Sequence, residues 1–374
     1  MKGSFEQSLQ HGVENRLLRV ARLDWPLFAA VLILAGLGLV VLYSASGGDL
    51  GVVQKQGIRL LIGLALLLGI AQVPADRLAL WSPWIYALGL VLLVWVEAAG
   101  VIGKGAQRWL DLGVIRFQPS EIMKLAVPMM LAWYFSDRPL PPRWVDLLAA
   151  GVMVAVPAGL IAAQPDLGTA VLVGAAGLFV IFFAGIGWRL IGGLVALALA
   201  AAPVLWHFMH DYQRRRVLTL LNPESDPMGA GYHIIQSEIA IGSGGLYGKG
   251  WTNGTQSQLD FLPERSTDFI FAVFSEEFGF LGVLGLLALY AFIILRGLYI
   301  AANAQDTYAR LLAGSLSLSF FVYCFVNMGM VSGILPVVGV PLPLISYGGT
   351  SMVTLMTAFG MLMSIHSHRR LLAR

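Results

Sequence analysis

Residues 251–295 read WTNGTQSQLDFLPERSTDFIFAVFSEEFGFLGVLGLLALYAFIIL. The first part is polar and rich in turn formers, with Asp260, Glu264, Arg265 and Asp268 close together. The second part, from Phe269, is an apolar run of membrane length, since a bilayer core takes about 20 helical residues. A charged turn running straight into such a helix places Asp268 at the mouth of the membrane, where its carboxylate is partly desolvated. Burial disfavours the charged form and raises a carboxyl pKa, as a general base requires; the helix N-terminus and Arg265 oppose that rise. Asp is also a favoured N-cap, and Glu264–Arg265 reads equally well as an ordinary surface pair.

Composition sets the class. Apolar residues make up 57% of the 374 positions, charged residues 12%, and the mean hydropathy is +0.76. A soluble domain carries about twice that charged fraction. The fold class is therefore an all-α polytopic membrane protein. The net charge of +3 is too small and too dispersed to argue for nucleic acid. Cys324 stands alone inside an apolar run, which excludes an internal disulfide framework and a multi-Cys metal site. The run from Trp25 to Tyr43 exceeds the core of a cleaved signal peptide and reads as an uncleaved first helix.

Ten spans are expected, near 25–44, 57–73, 83–101, 119–135, 146–163, 169–186, 190–208, 269–295, 310–331 and 351–366. With the N-terminus inside, the inner segments hold Lys2, Arg16, Arg19, Arg22, Arg77, Arg138, Arg143, Arg189, Arg296, Arg310, Arg369, Arg370 and Arg374. The short outer loops hold only Lys55, Arg59, Lys104, Arg108 and Arg116, so N-in, C-in is favoured. This gives an inner tail at 1–24, one transmembrane domain at 25–366 and a second inner tail at 367–374. Four polar segments then share the outer side: 102–121, 164–169, 332–350 and a long loop, 209–268, between the seventh and eighth spans. A long loop without clear secondary structure in an economical chain is usually functional. The working face is expected outside.

Several constellations lie on that face. In KGAQRWLDLGVIRFQPSEIMKL (104–125), Glu121 and Lys124 are three apart on one helix face at membrane depth. Ionisable groups there mark function or simply neutralise each other. AQPDLGTA (163–170) sets Asp166 in a tight turn, where it is either a site residue or a plain N-cap. GYHIIQSEIAIGSGGLYGKGW (231–251) fails as a phosphate loop, because Ser243 and Gly250 stand where Gly and Ser or Thr are needed. GILPVVGVPLPLISYGGTS (333–351) has the prolines and glycines of a re-entrant, cavity-lining segment. His207, His210 and His233 do not form a convincing metal set.

Taken together, GTQSQLDFLPERSTDFIF and these four blocks resemble the SEDS family (shape, elongation, division, sporulation) in its RodA, or rod-shape, branch. The blocks occur in order over about 25–366. Many members have His before the Thr-Asp pair, where this chain has Ser266. The resemblance implies a peptidoglycan glycosyltransferase that polymerises lipid II into β-1,4-linked glycan on the outer face of the bacterial inner membrane, during elongation. It implies Asp268 as the general base, with Arg108, Glu121, Lys124, Asp166, Lys249, Asp260 and Arg265 around the substrate. Arg108, Lys124 and Lys249 would meet the charge of the leaving diphosphate. No cofactor is implied; a divalent cation is a candidate helper, with no ligand set in the sequence. The implied partner is a class B penicillin-binding protein, a transpeptidase. A lipid II flippase and a non-catalytic scaffold for that transpeptidase are the alternatives.

Overall fold

The computed structural model describes residues 23–368, apart from 104–105, 112–115, 189–191, 194–195, 197–199, 202–205, 208–210, 227–228, 260 and 263. Helices α1 (Trp25–Ala45), α2 (Leu50–Ala71) and α3 (Ala75–Ala99) come first. Three short strands follow as one antiparallel sheet in sequence order: β1 (Val101–Gly103), β2 (Ala106–Asp111) and β3 (Arg116–Phe117). Then come α4 (Pro119–Ser136), α5 (Trp144–Ala163) and α6 (Leu167–Phe183). The long connection carries α7 (Asp211–Leu221), α8 (Ala230–Ser243) and α9 (Thr255–Gln258). The chain ends with α10 (Ile270–Ala302), α11 (Thr307–Val331) and α12 (Thr350–Ser367).

Among the described residues, α1, α2, α3, α5, α10 and α11 are long and apolar enough to cross a membrane, and α6 is a shorter apolar helix. Their outer faces are apolar: Trp84, Leu148 and Leu61 are 77%, 69% and 68% exposed, as a hydrocarbon surround requires. This is a multi-pass membrane protein. The helices match the expected spans except the seventh, 190–208, most of which lies outside the described residues. Two starts differ. The second and third helices begin at Leu50 and Ala75, because polar residues near their starts, Gln54, Lys55 and Gln56 in α2 and Asp76 and Arg77 in α3, delay the apolar run that marks a span. Asp49 caps α2 by accepting from Gly51 N at 2.7 Å, and Asp76 suits the positive end of α3. The 209–268 segment also departs from expectation. Much of what is described there is helical, and α8 packs against α10.

Helix α10 is the unusual one. Its 33 residues would run about 50 Å at 1.5 Å per residue, too long for one bilayer. It breaks at Gly279, whose φ of 63° and ψ of −168° are essentially open to glycine alone. Before the break, Ile270–Glu277 is buried in protein; after it, the helix faces outward along much of its length. The strap 244–250 lies across the gap. Lys249 N and Gly250 N donate to the carbonyls of Glu276 and Glu277, both at 3.0 Å. Phe280 N and Leu281 N donate to those of Gly245 (2.9 Å) and Leu246 (3.1 Å). Backbone groups freed inside a membrane protein must find such partners. A side chain on Gly248 or Gly279 would intrude on the other's backbone, so the crossing depends on both glycines.

The polar segments gather at one end. Arg108 reaches the 164–166 turn, Gly168 packs on Val338, and Trp251 Nε1 donates to Val40 O at 3.1 Å. At the other end, Arg296 on α10 grips Asp24 at the start of α1 at 2.8 Å, and His366 on α12 lies 3.4 Å from the same carboxylate.

Candidate active site

The Asp268 turn is held from outside its own helix. Ser266 O accepts from Tyr347 N at 2.9 Å, and Thr267 O from Ser346 Oγ at 2.6 Å. Asp268 O accepts from Asn327 Nδ2 at 2.9 Å. Three consecutive carbonyls are thus fixed by α11 and the segment before α12. Asn327 is fully buried and also donates to Val340 O at 2.7 Å, which ties the turn to that segment a second time. Asp268 is half-buried and stands one residue before the N-cap position of α10, which Phe269 occupies. A Cβ added to Gly339 would lie 3.4 Å from Asp268 Oδ2, and Gly339 has a φ of 74°, so bare backbone faces the carboxylate.

Asp166 joins the second group. It caps α6 by accepting from Thr169 N at 3.2 Å, accepts from Gln118 Nε2 at 2.9 Å, and lies 3.9 Å from Arg108 Nη1. Arg108 also donates to the carbonyls of Gln164 and Pro165. Asp166 is thus the cap of α6 and also lies in a charged cluster with Arg108 and Gln118. Lys124 Nζ donates to Glu121 Oε1 at 2.7 Å, with both side chains 7% exposed, and sits 5.2 Å from the Tyr323 ring centre. Lys124 also borders a small cavity of about 30 Å³ with Phe320, Tyr323 and Thr354. Tyr323 packs with Val340, and Val338 packs on Gly168, so one segment connects this cluster to the Asp268 turn.

Lys249 is committed elsewhere. Its Nζ lies 2.7 Å from both Glu276 Oε1 and Thr255 Oγ1. Glu276 has no exposed side-chain surface and also accepts from Thr255 N (2.8 Å) and Gln256 N (3.0 Å). One carboxylate therefore gathers the strap and α9. Arg265 donates to Ser257 O. Asp260 lies outside the described residues. Among those described, no group of three or more His, Cys, Asp or Glu side chains could hold a metal ion.

The sequence model of a family described as a cell cycle protein, FtsW/RodA/SpoVE, matches residues 25–371. The chain belongs to the FtsW/RodA/SpoVE family. It is 56% identical over 353 residues to the peptidoglycan glycosyltransferase MrdB of Escherichia coli K12, covering 94% of this chain and 95% of the relative. It is 32% identical to the peptidoglycan glycosyltransferase RodA of Treponema pallidum, covering 95% of this chain and 100% of that one. Its fold is similar to a structure described as the structural coordination of polymerization and crosslinking by a peptidoglycan synthase complex. That match has a TM-score of 0.82 and 36% identity over 93% of this chain and 99% of the other. A crystal structure of Thermus thermophilus rod shape determining protein RodA matches with a TM-score of 0.70 and 31% identity, over 92% and 96%.

Within this FtsW/RodA/SpoVE fold, several residues around the site escaped the sequence reading. Asn327 is an amide inside an apolar span, a signal that was there to be read. Glu276 sits in SEEF inside the longest helix and finds its lysine 27 positions upstream in the strap. His233, considered only as a metal ligand, stacks on Phe269 at 5.4 Å, beside Asp268. Burial holds its pKa below the usual histidine value, against the pull of Glu264 and Asp226.

Proposed function

We propose that this chain is a peptidoglycan glycosyltransferase that polymerises lipid II on the outer face of the bacterial inner membrane, with Asp268 as general base. The observation that carries the reading is the fixing of the Ser266, Thr267 and Asp268 carbonyls by Tyr347, Ser346 and Asn327. A half-buried carboxylate on a turn immobilised through its backbone suits a base that must meet a hydroxyl at hydrogen-bond distance. The names of the relatives support the same activity.

In this reading the acceptor's GlcNAc 4-hydroxyl gives its proton to Asp268 while its oxygen forms a bond to C1 of the donor MurNAc. The bond from C1 to the diphosphate oxygen breaks, and undecaprenyl diphosphate leaves with the electron pair. An α-linked diphosphate giving a β-1,4 bond is a single inversion, so one base and a stabilised leaving group suffice. Arg108 and Lys124 line the donor side, although each already contacts an acidic group and can offer only its remaining N–H donors. Lys249 acts instead as the tie that holds the strap. The partner in this reading is a separate class B penicillin-binding protein that cross-links the strand. The synthase complex with a similar fold supports that pairing.

The test is glycan synthesis from purified lipid II by the wild type and Asp268→Ala, each with and without the partner. Long glycan from the wild type and none from a folded Asp268→Ala is expected. Equal product from both removes Asp268 from the mechanism. No product from either redirects the reading to lipid translocation.

A further inference from the structure

Arg59 lies about 14 Å along α2 from its first residue, near the middle of the helix. Its Nη1 is buried without a hydrogen-bond partner, and no ion pair among the described residues involves it. Its guanidinium carbon sits 4.6 Å from the centre of the Tyr347 ring. A buried guanidinium nitrogen is costly unless something anionic or polar meets it.

The surroundings are built. Gln56, one turn earlier, donates to Ser346 O at 3.2 Å and accepts from Gly348 N at 3.4 Å. A side chain on Gly349 would come within 3.4 Å of Arg59 Nε, so the glycine leaves the guanidinium its room. Tyr347, under the guanidinium, is the residue whose N–H holds Ser266 O. The segment 338–349 therefore runs from the Arg108–Asp166 side, past Asp268, to Arg59. Arg108, Lys124 and Lys249 already face carboxylates at 3.9, 2.7 and 2.7 Å; Arg59 does not. A planar guanidinium with its face on an aromatic ring keeps its N–H edge for a bidentate phosphate contact.

We propose that Arg59, backed by Tyr347 and with the turn beside it steadied by Gln56, binds the diphosphate of a polyprenyl-linked substrate on the α2–α12 side of the Asp268 turn. This rests on the polymerase reading, in which two lipid diphosphates must be held at once. The Arg108–Lys124 side serves the donor, which leaves Arg59 for the acceptor.

The experiment uses the purified full chain in nanodiscs of neutral phosphatidylcholine. Binding of undecaprenyl diphosphate and of undecaprenol is measured for the wild type, Arg59→Gln and Arg59→Lys, each checked for unchanged thermal unfolding. Arg59→Gln should bind undecaprenyl diphosphate about tenfold more weakly, one charged hydrogen bond's worth, and undecaprenol equally. Arg59→Lys, which keeps the charge and the fold but not the fork, should fall between. In glycan synthesis the KM for lipid II should rise similarly, with kcat little changed. Equal diphosphate affinity in folded Arg59→Gln overturns the proposal. If added phosphatidylglycerol erases the difference between wild type and Arg59→Gln, the site belongs to phospholipid headgroups and the substrate assignment falls. Weaker diphosphate binding by Arg59→Gln, with a wild type that makes no glycan, would retain the subsite and sink the polymerase. Glycan synthesis with equal affinities would do the reverse.

Discussion

Removing the Glu276 carboxylate should release the strap from the broken helix. In the native chain it meets Lys249 Nζ at 2.7 Å, Thr255 N at 2.8 Å and Gln256 N at 3.0 Å, from a fully buried position. Stripping one partner from a buried ion pair costs about 3–5 kcal/mol. Lys249 is 27% exposed and recovers some hydration, which puts Glu276→Ala at the low end, ~3 kcal/mol. Glu276→Gln keeps an acceptor for the two amides and loses the charge, for ~1–2 kcal/mol. The strap also meets α10 through backbone bonds around Gly279, so the loss should appear as local opening. Hydrogen–deuterium exchange over 245–258 in detergent reads it directly. A 3 kcal/mol loss corresponds to roughly a hundredfold faster opening-limited exchange. Adding Lys249→Met to Glu276→Gln should recover part of the loss, since the two side chains are in contact. Unchanged protection of 245–258 in a folded Glu276→Ala would refute the reasoning.

Asn327→Ala leaves the carbonyls of Asp268 and Val340 without this donor, for ~1–3 kcal/mol each, and should lower kcat in glycan synthesis more than it raises KM. Lys124→Met alone strands the buried Glu121 and should cost ~3–5 kcal/mol, whereas Lys124→Met with Glu121→Gln should regain most of that stability; thermal unfolding distinguishes them. If the double variant recovers stability without activity, the pair serves the substrate as well as the fold. His233 has a lowered folded pKa, so its contribution is present above the ordinary histidine value and lost as pH falls through the lowered one. Unfolding temperature should therefore drop between neutral and mildly acidic pH, and His233→Phe should flatten that part of the profile.

The spans were legible because apolar runs of membrane length have few other readings, and the Asp268 turn because charge there breaks such a run. The break in α10 was not. FGFLGVLG reads as continuous apolar helix, and the evidence that Gly279 leaves it is the approach of Gly248, 31 positions away. Lys249 looked available because its partner lies in another segment, and a lysine's sequence context does not reveal who neutralises it. Arg59 is the converse. It counted as one more outer basic residue, and only burial without a carboxylate separates it from the rest. The helical content of 209–268 was hidden by its polarity, since α7 and α8 lack the apolar length that exposes a span.

The three carbonyls of the Asp268 turn also set a clock on biogenesis. Ser346 lies 79 positions downstream of the carbonyl it holds, and Gln56 reaches 290 positions forward to the same residue. A ribosome that has delivered α10 into the membrane has made Asp268 but none of its fasteners. With Asp268 as the proposed base, the nascent protein should stay silent until its final helix pair arrives, and a chain shortened before residue 346 would carry that carboxylate on a turn without Ser346 and Tyr347.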